Sequence, residues 1–284
     1  MFELDNEIIN NVKGSWAAGD QGVQLPFSTV LFWWKRGGDE RSDGTQKYGG
    51  WVASYENVLE SIPTNPEGRA DIPTKLSQET FHSDYSGSSY EVFTTRNIAF
   101  AAIGKRFKWT YRTPPDGSKD PSDKGRGHLQ VLGLSAFLND DKSYKLWLPV
   151  ILSAKGLSAK SLQDALDSWE RKTIALRASE CNGLPANFFW SHLGTFGKDV
   201  QKLQVGRGNK SNYITPIQIY MPSELNIDFL KRVYVGKDAA ITMSVLAEQS
   251  QDWLTEWSKD SQGNEADTSS DPDNVADADY PDLM

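Results

Sequence analysis

The chain predicts an α+β fold rich in β-structure, on three observations. Strand-sized runs of β-branched and aromatic residues, separated by glycine- and proline-bearing turns, fill the first half. Amphipathic helical periodicity appears only in the second half. The last 25 residues have a composition that cannot bury enough apolar surface to offset the entropy of ordering, so they are expected to be disordered. Three parts follow: an N-terminal arm over 1–24, a globular body over 25–259, and an acidic tail over 260–284.

The arm is polar and broken by Gly14, Gly19 and Gly22. From Leu25 the run Pro26 to Trp34 reads as a strand that stops at Lys35-Arg36-Gly37-Gly38. Further strands are expected at Trp51–Tyr55, Tyr90–Thr95, Ala99–Ile103, Lys105–Tyr111, Leu129–Leu134, Tyr144–Leu152, Ile214–Met221 and Arg232–Val235. Turns at Asn65-Pro66-Glu67-Gly68 and Pro114-Pro115-Asp116-Gly117 punctuate them. Ser161 and Asp164 have capping-box spacing, and Leu162, Leu166 and Trp169 follow at helical intervals, which predicts a helix from about Ser161 to Ala178. Pro222-Ser223-Glu224 is a start for a shorter one through Leu230. A third helix is expected from Ala239 to Lys259, its apolar stripe being Met243, Leu246, Ala247, Ser250, Trp253, Leu254 and Trp257.

Composition narrows the function classes. At 284 residues the chain is long enough to bury a proper core. A single cysteine, Cys181, excludes an intrachain disulfide, and no charged segment followed by an apolar run opens the chain, so a cytoplasmic protein is expected. No apolar run is long enough to span a bilayer as a helix. His82, His128 and His192 are the only histidines and none forms a close metal-binding pair. Phosphate loops, nucleophile elbows and dinucleotide fingerprints are likewise missing, so no catalytic residue, metal or cofactor is assigned.

The most informative body segment is Lys105 to Arg112. In a strand Phe107, Trp109 and Tyr111 point one way while Arg106, Lys108 and Arg112 point the other. The ordinary expectation puts the aromatics toward the core and the cations toward water. Between Arg96 and Arg126 eight cations face three aspartates, a basic zone in a balanced body. Its loop carries Lys119, Lys124 and Arg126. A second basic loop, Gly206 to Tyr213, holds Arg207, Lys210 and Tyr213, and Trp34-Lys35-Arg36 repeats the same chemistry. Cations for phosphates beside aromatics for bases are what a single-stranded nucleic acid needs. The expected site therefore comprises Arg106, Lys108, Arg112, Lys119, Lys124, Arg126, Lys35, Arg36, Arg207 and Lys210 for the backbone, with Trp109, Tyr111, Trp34 and Tyr213 for stacking. For the Gly206–Tyr213 loop an ordinary turn between strands is the alternative.

The tail holds eight acidic side chains and no basic one. Taking those eight from the chain's 38 leaves 30 acidic residues against 30 basic, so the net charge of −8 belongs entirely to the tail. A solubilising terminus is one reading. The other follows from the apolar tip Asp279-Tyr280-Pro281-Asp282-Leu283-Met284, which suits docking into a basic-rimmed hydrophobic pocket. The acidic lead-in and Asp279-Tyr280-Pro281 resemble the end of bacterial single-stranded DNA-binding proteins, whose tails close on an Asp-Ile-Pro-Phe type tip. This chain differs in its added Asp282-Leu283-Met284 and in lacking a terminal Phe. The resemblance implies recruitment of replication and repair proteins through the tip; a homo-oligomer is an open alternative to a monomer.

The expectation is thus a non-enzymatic protein for single-stranded nucleic acid, DNA first and RNA second. Its body would be an OB-like or other partly open antiparallel barrel enlarged by insertions and followed by helices. The rivals are a β-rich carbohydrate- or protein-binding module, and a structural component of a mobile element or phage, each with a merely solubilising tail.

Overall fold

The computed structural model describes residues 30–34, 49–62, 72–82, 89–110, 125–196, 203–205 and 212–257. The arm, the tail and the residues between these ranges lie outside that description. In chain order the elements are β1 (Val30–Trp34), β2 (Gly50–Ser54), α1 (Tyr55–Ser61), β3 (Ser77–His82), β4 (Ser89–Thr95), β5 (Asn97–Thr110), β6 (Arg126–Leu138), β7 (Tyr144–Lys155) and α2 (Leu157–Glu180). A 3-10 turn at Ala186–Phe188 leads to β8 (Ser191–Gly194), β9 (Leu203–Val205), β10 (Asn212–Ile214) and β11 (Gln218–Ile219). Three helices finish the described chain: α3 (Ile227–Val233), α4 (Gly236–Gln249) and α5 (Gln251–Thr255).

The fold is α+β. Nine strands form one sheet in the order β11-β8-β5-β6-β7-β1-β2-β4-β3, and β9 and β10 pair separately. Every pairing is antiparallel except β1 with β7, which joins a five-stranded run to a four-stranded one. Among the described residues β11 and β3, at the two ends, pair on one side only, so the sheet is open.

Strands β5, β6 and β7 read as apolar runs because helices cover both their faces. Ile98, Phe100, Val131, Val150 and Leu152 pack on one side with Ala159, Leu162 and Ala165 of α2 and with Trp51 and Val58. Ala101, Ile103, Leu132 and Leu134 pack on the other with Leu230, Met243, Leu246, Trp253 and Leu254 of the last three helices. The triplet Phe188-Phe189-Trp190 is fully buried, as a core segment should be.

Several boundaries differ from expectation. The expected strand Ile214–Met221 is split between the end of β10 and β11 (Gln218–Ile219), which lie in different sheets, and the short helix expected from Pro222 begins at Ile227. Helix α2 begins at Leu157, a turn before Ser161, because Gly156 reverses the chain directly after β7 with φ of 58°. Ser161 therefore sits inside the helix, where its hydroxyl donates to Ser158 O and accepts from the Ile217 amide. The expected strand Arg232–Val235 is instead the end of α3, and only Tyr234 makes an isolated bridge, to Phe189. The single helix expected over Ala239–Lys259 is two, broken at Ser250, and Lys259 lies outside the described residues.

One irregularity positions the site. Register between β5 and β6 shifts between Ala102 and Gly104, a bulge that adds one residue to β5. Beyond it Lys105 opposes Val131, Phe107 opposes Leu129 and Trp109 opposes Gly127, so the odd residues continue the face begun by the even residues Ile98 and Phe100. Gly104 and the even residues after it continue the face of Ala101 and Ile103. There Gly104 lets α5 close on the strand, since a Cβ at this position would stand 2.7 Å from Leu254 Cδ2.

Candidate nucleic-acid interface

The outer half of β5 is two-faced as its alternation predicts, but in the opposite sense. Phe107 is 42% and Trp109 58% exposed, whereas the Arg106 side chain is only 10% exposed. Helix α2 ends its cover of the odd face near Lys105, whose Nζ donates to Gln163 Oε1 at 3.0 Å. Past that point the two rings stand at the surface. Phe107 lies over Gly127, where a Cβ would come within 2.8 Å of the ring, and meets Trp109 edge-to-face with centroids 5.5 Å apart. Phe107 braces Trp109 while leaving indole surface open for stacking.

The even face is closed by α5 and the residues after it. The Arg106 guanidinium lies 3.7 Å from the Trp253 ring centroid and 4.0 Å from that of Trp257. Its Nη1 donates to Glu256 Oε2 at 2.6 Å and to Trp253 O at 3.1 Å, and its Nε donates to Gln130 Oε1 at 2.9 Å. Burial pulls the Arg106 pKa down to about 10 against the opposing pull of Glu256. Lys108 Nζ sits 4.3 Å from the Trp257 ring. The same indole leans on His128, centroids 5.0 Å apart, and His128 Nε2 is 2.8 Å from Ser153 Oγ. Burial first, then Lys155, Lys108 and Arg106, push the His128 pKa down to about 4, so it is neutral near pH 7.

Arg106 and Lys108 thus do not face water as expected, and the physical reason is the competition between two possible covers. Two indoles next to two cations gain cation–π attraction and hide their own apolar area, which an aliphatic helix face would not match. Trp253 and Trp257 were expected as core stripe residues and are buried; what sequence reasoning missed is that their partner is Arg106. The pattern Trp253-x-x-Glu256-Trp257 was the available sign, because a carboxylate between two aromatics at helical spacing suits a guanidinium. Gln130, His128 and Lys155 join this basic face and were not singled out from sequence.

Of the other expected residues, Arg126 opens β6, half-buried and opposite Thr110, whose hydroxyl donates to Arg126 O. Trp34 lies in β1 opposite Gly50 and Tyr213 in β10 opposite Gln204. Tyr111, Arg112, Lys119, Lys124, Lys35, Arg36, Arg207 and Lys210 fall outside the described residues, as do Asp279, Tyr280, Pro281, Asp282, Leu283 and Met284. Among the described residues no three His, Cys, Asp or Glu side chains form a metal-holding group, and no helix is long and apolar enough to cross a membrane. His192 Nε2 is 2.7 Å from Tyr144 Oη, and burial together with Glu180 pushes the Cys181 thiol up, away from the thiolate a nucleophile needs. Searches against protein-family models, curated proteins and solved structures find no match to this chain.

Proposed function

We propose that the protein binds single-stranded nucleic acid, DNA in the first instance, without catalysing a reaction. The observation that carries this reading is Trp109: a 58% exposed indole braced by Phe107, in line with Lys105 on the open face of β5. An indole held in place offers every base the same π-surface, which suits binding without strong sequence preference. Phosphate neutralisation comes from Lys105 and the basic segments around it, so affinity falls as salt rises. The finer fold reading that accompanies this is an OB-like or other partly open barrel. It is supported by the five-stranded antiparallel run β11-β8-β5-β6-β7 and by the bulges in its long strands, which bend such sheets.

The tail enters the proposal as a tethered competitor and a recruiting tip. Trp257, the last described residue, rests against Arg106, Lys108 and His128, and the eight tail carboxylates follow it in the sequence, which supports a competitor tethered to the body. Tethering keeps their effective concentration high. Asp279 to Met284 would then serve replication and repair partners when the strand displaces the tail, in a cytoplasmic setting.

Titration of intrinsic tryptophan fluorescence with oligo(dT) at low and high salt tests the reading. Quenching at low salt that weakens at high salt and is reduced in Trp109→Ala is expected. No quenching at low salt sinks it, and quenching by a neutral oligosaccharide instead moves Trp109 to the carbohydrate-module alternative.

A further inference from the structure

The row Trp109, Phe107, Lys105 does not end at the helix. Lys105 also lines a cavity of about 350 Å³ between α2, the outer β5 edge and the 3-10 turn. Its walls are largely apolar, with Ala102 from β5, Leu166 from α2 and Pro185 before the turn, and Asp167 stands with Lys105 among the charged lining groups. The volume lies at the small end for ligand sites, enough for one heterocycle and too little for a length of chain. Residues Lys105, Phe107 and Trp109 share one sheet face, successive members being about 6.8 Å apart along an extended strand. A strand stacked on Trp109 and running along this row therefore reaches the cavity next.

Asn187 gives the cavity its chemistry. It lines the site, is 8% exposed, and neither its Oδ1 nor its Nδ2 has a hydrogen-bonding partner. The neighbouring polar groups are satisfied: Trp169 Nε1 donates to Ala186 O and Ser191 Oγ to Phe100 O. Leaving both ends of a buried amide unpaired is destabilising. An amide places a donor beside an acceptor, the complement of the paired donor and acceptor that every nucleobase carries on its edge. We propose that this cavity is a base pocket, in which Asn187 pairs with the edge of one nucleobase of a strand that stacks on Trp109 a few nucleotides farther along. Both amide atoms are shielded from water in this conformation, so pairing requires the side chain to turn toward the cavity, a rotamer-scale movement. Lys105, between pocket and platform, lies where the intervening phosphates would pass. The inference rests on the nucleic-acid reading for its strand, while the pocket itself would also accept the same base as a free nucleoside.

The test compares wild type, Asn187→Leu and Trp109→Ala as full chains. Fluorescence anisotropy follows labelled oligo(dT) over a salt series, saturation-transfer NMR follows free thymidine and adenosine, and thermal unfolding follows stability. Asn187→Leu is expected to raise Tm, because an unpaired amide is replaced by an apolar group of similar size. It should weaken oligo(dT) binding about tenfold with an unchanged salt slope, since a base contact and not a phosphate contact is lost. It should also abolish the nucleoside signal, which Trp109→Ala should retain. A lower Tm with unchanged oligonucleotide and nucleoside binding makes Asn187 a structural amide and overturns the pocket. If wild type binds no oligo(dT) at low salt the nucleic-acid reading fails, and the nucleoside arm alone then decides: saturation transfer that Asn187→Leu removes keeps the cavity as a nucleoside site, and its absence overturns it.

Discussion

The two faces of the outer half of β5 are built from the same six residues and have opposite fates. On the odd face Phe107 and Trp109 stand in solvent; on the even face Arg106 and Lys108 lie under the indoles of Trp253 and Trp257. Alternation decides which side chains share a face, but it is silent on which face is covered. Here the bulge at Ala102–Gly104 and the arrival of α5 decide. The bulge carries Arg106 onto the side of Ile103, and α5 with the two residues after it reaches that side with two tryptophans and a carboxylate. The consequence is a strand whose odd-face rings stand open while its even-face charges, Arg106 and Lys108, are held by the fold.

The largest expected effect breaks the covered face. Arg106→Ala removes a guanidinium held by three acceptors and two rings and leaves Gln130 Oε1 and Trp253 O without that donor. It should destabilise the protein by about 3 kcal/mol, read from urea unfolding. A loss below about 0.5 kcal/mol would mean that α5 does not need Arg106, and the contrast between the faces would be one of exposure alone.

Acid probes the same face through His128. Its folded pKa of about 4 lies below the ordinary histidine value near 6.5, so in the window between them the unfolded chain takes up a proton that the folded chain refuses. Stability therefore falls as pH drops from about 6.5 to about 4 and levels off below, by a few kcal/mol from this residue. Burial pushes His192 down to about 4 as well, and it adds to the same window. His128→Gln should remove about half of the fall, as followed by unfolding midpoints between pH 7 and pH 4. An unaltered pH profile in the variant places the effect on His192 alone.

The open face predicts the reverse pattern. Trp109→Ala should leave unfolding stability within about 0.5 kcal/mol, because the indole is more than half exposed, while costing about 2 kcal/mol in oligonucleotide binding. Equal losses in both measurements would show that Trp109 is packing rather than platform.

These contrasts also mark what could be read without coordinates. The helix carrying Leu162, Leu166 and Trp169 was legible because periodicity on one buried face is a local property. Strand β3, Ser77-Gln78-Glu79-Thr80-Phe81-His82, was not: it is an edge strand whose polar residues bond to β4, as Thr80 and Gln78 do to Glu91, and such a strand carries little apolar alternation. A bulge leaves no mark in a run such as Ala101-Ala102-Ile103-Gly104, since it is set by register with β6. That Trp109 shares a face with Phe107 and lies opposite Arg106 was legible from alternation, while the burial of Arg106 depended on residues 147 to 151 positions away.

The smallest expected effect concerns the acidic tail. Deleting Asp260–Met284 removes eight carboxylates and leaves Trp257 and its contacts in place. If the tail competes for the basic surroundings of β5, truncation should tighten oligo(dT) binding about fivefold at low salt, near 1 kcal/mol, and the gain should vanish once the Debye length falls to a few ångströms. A solubilising tail predicts no change in affinity at any salt, with lower solubility as the only cost. The distinction is sharp because the competitor is electrostatic and the platform is not: salt should erase the effect of the deletion while leaving the effect of Trp109→Ala nearly intact.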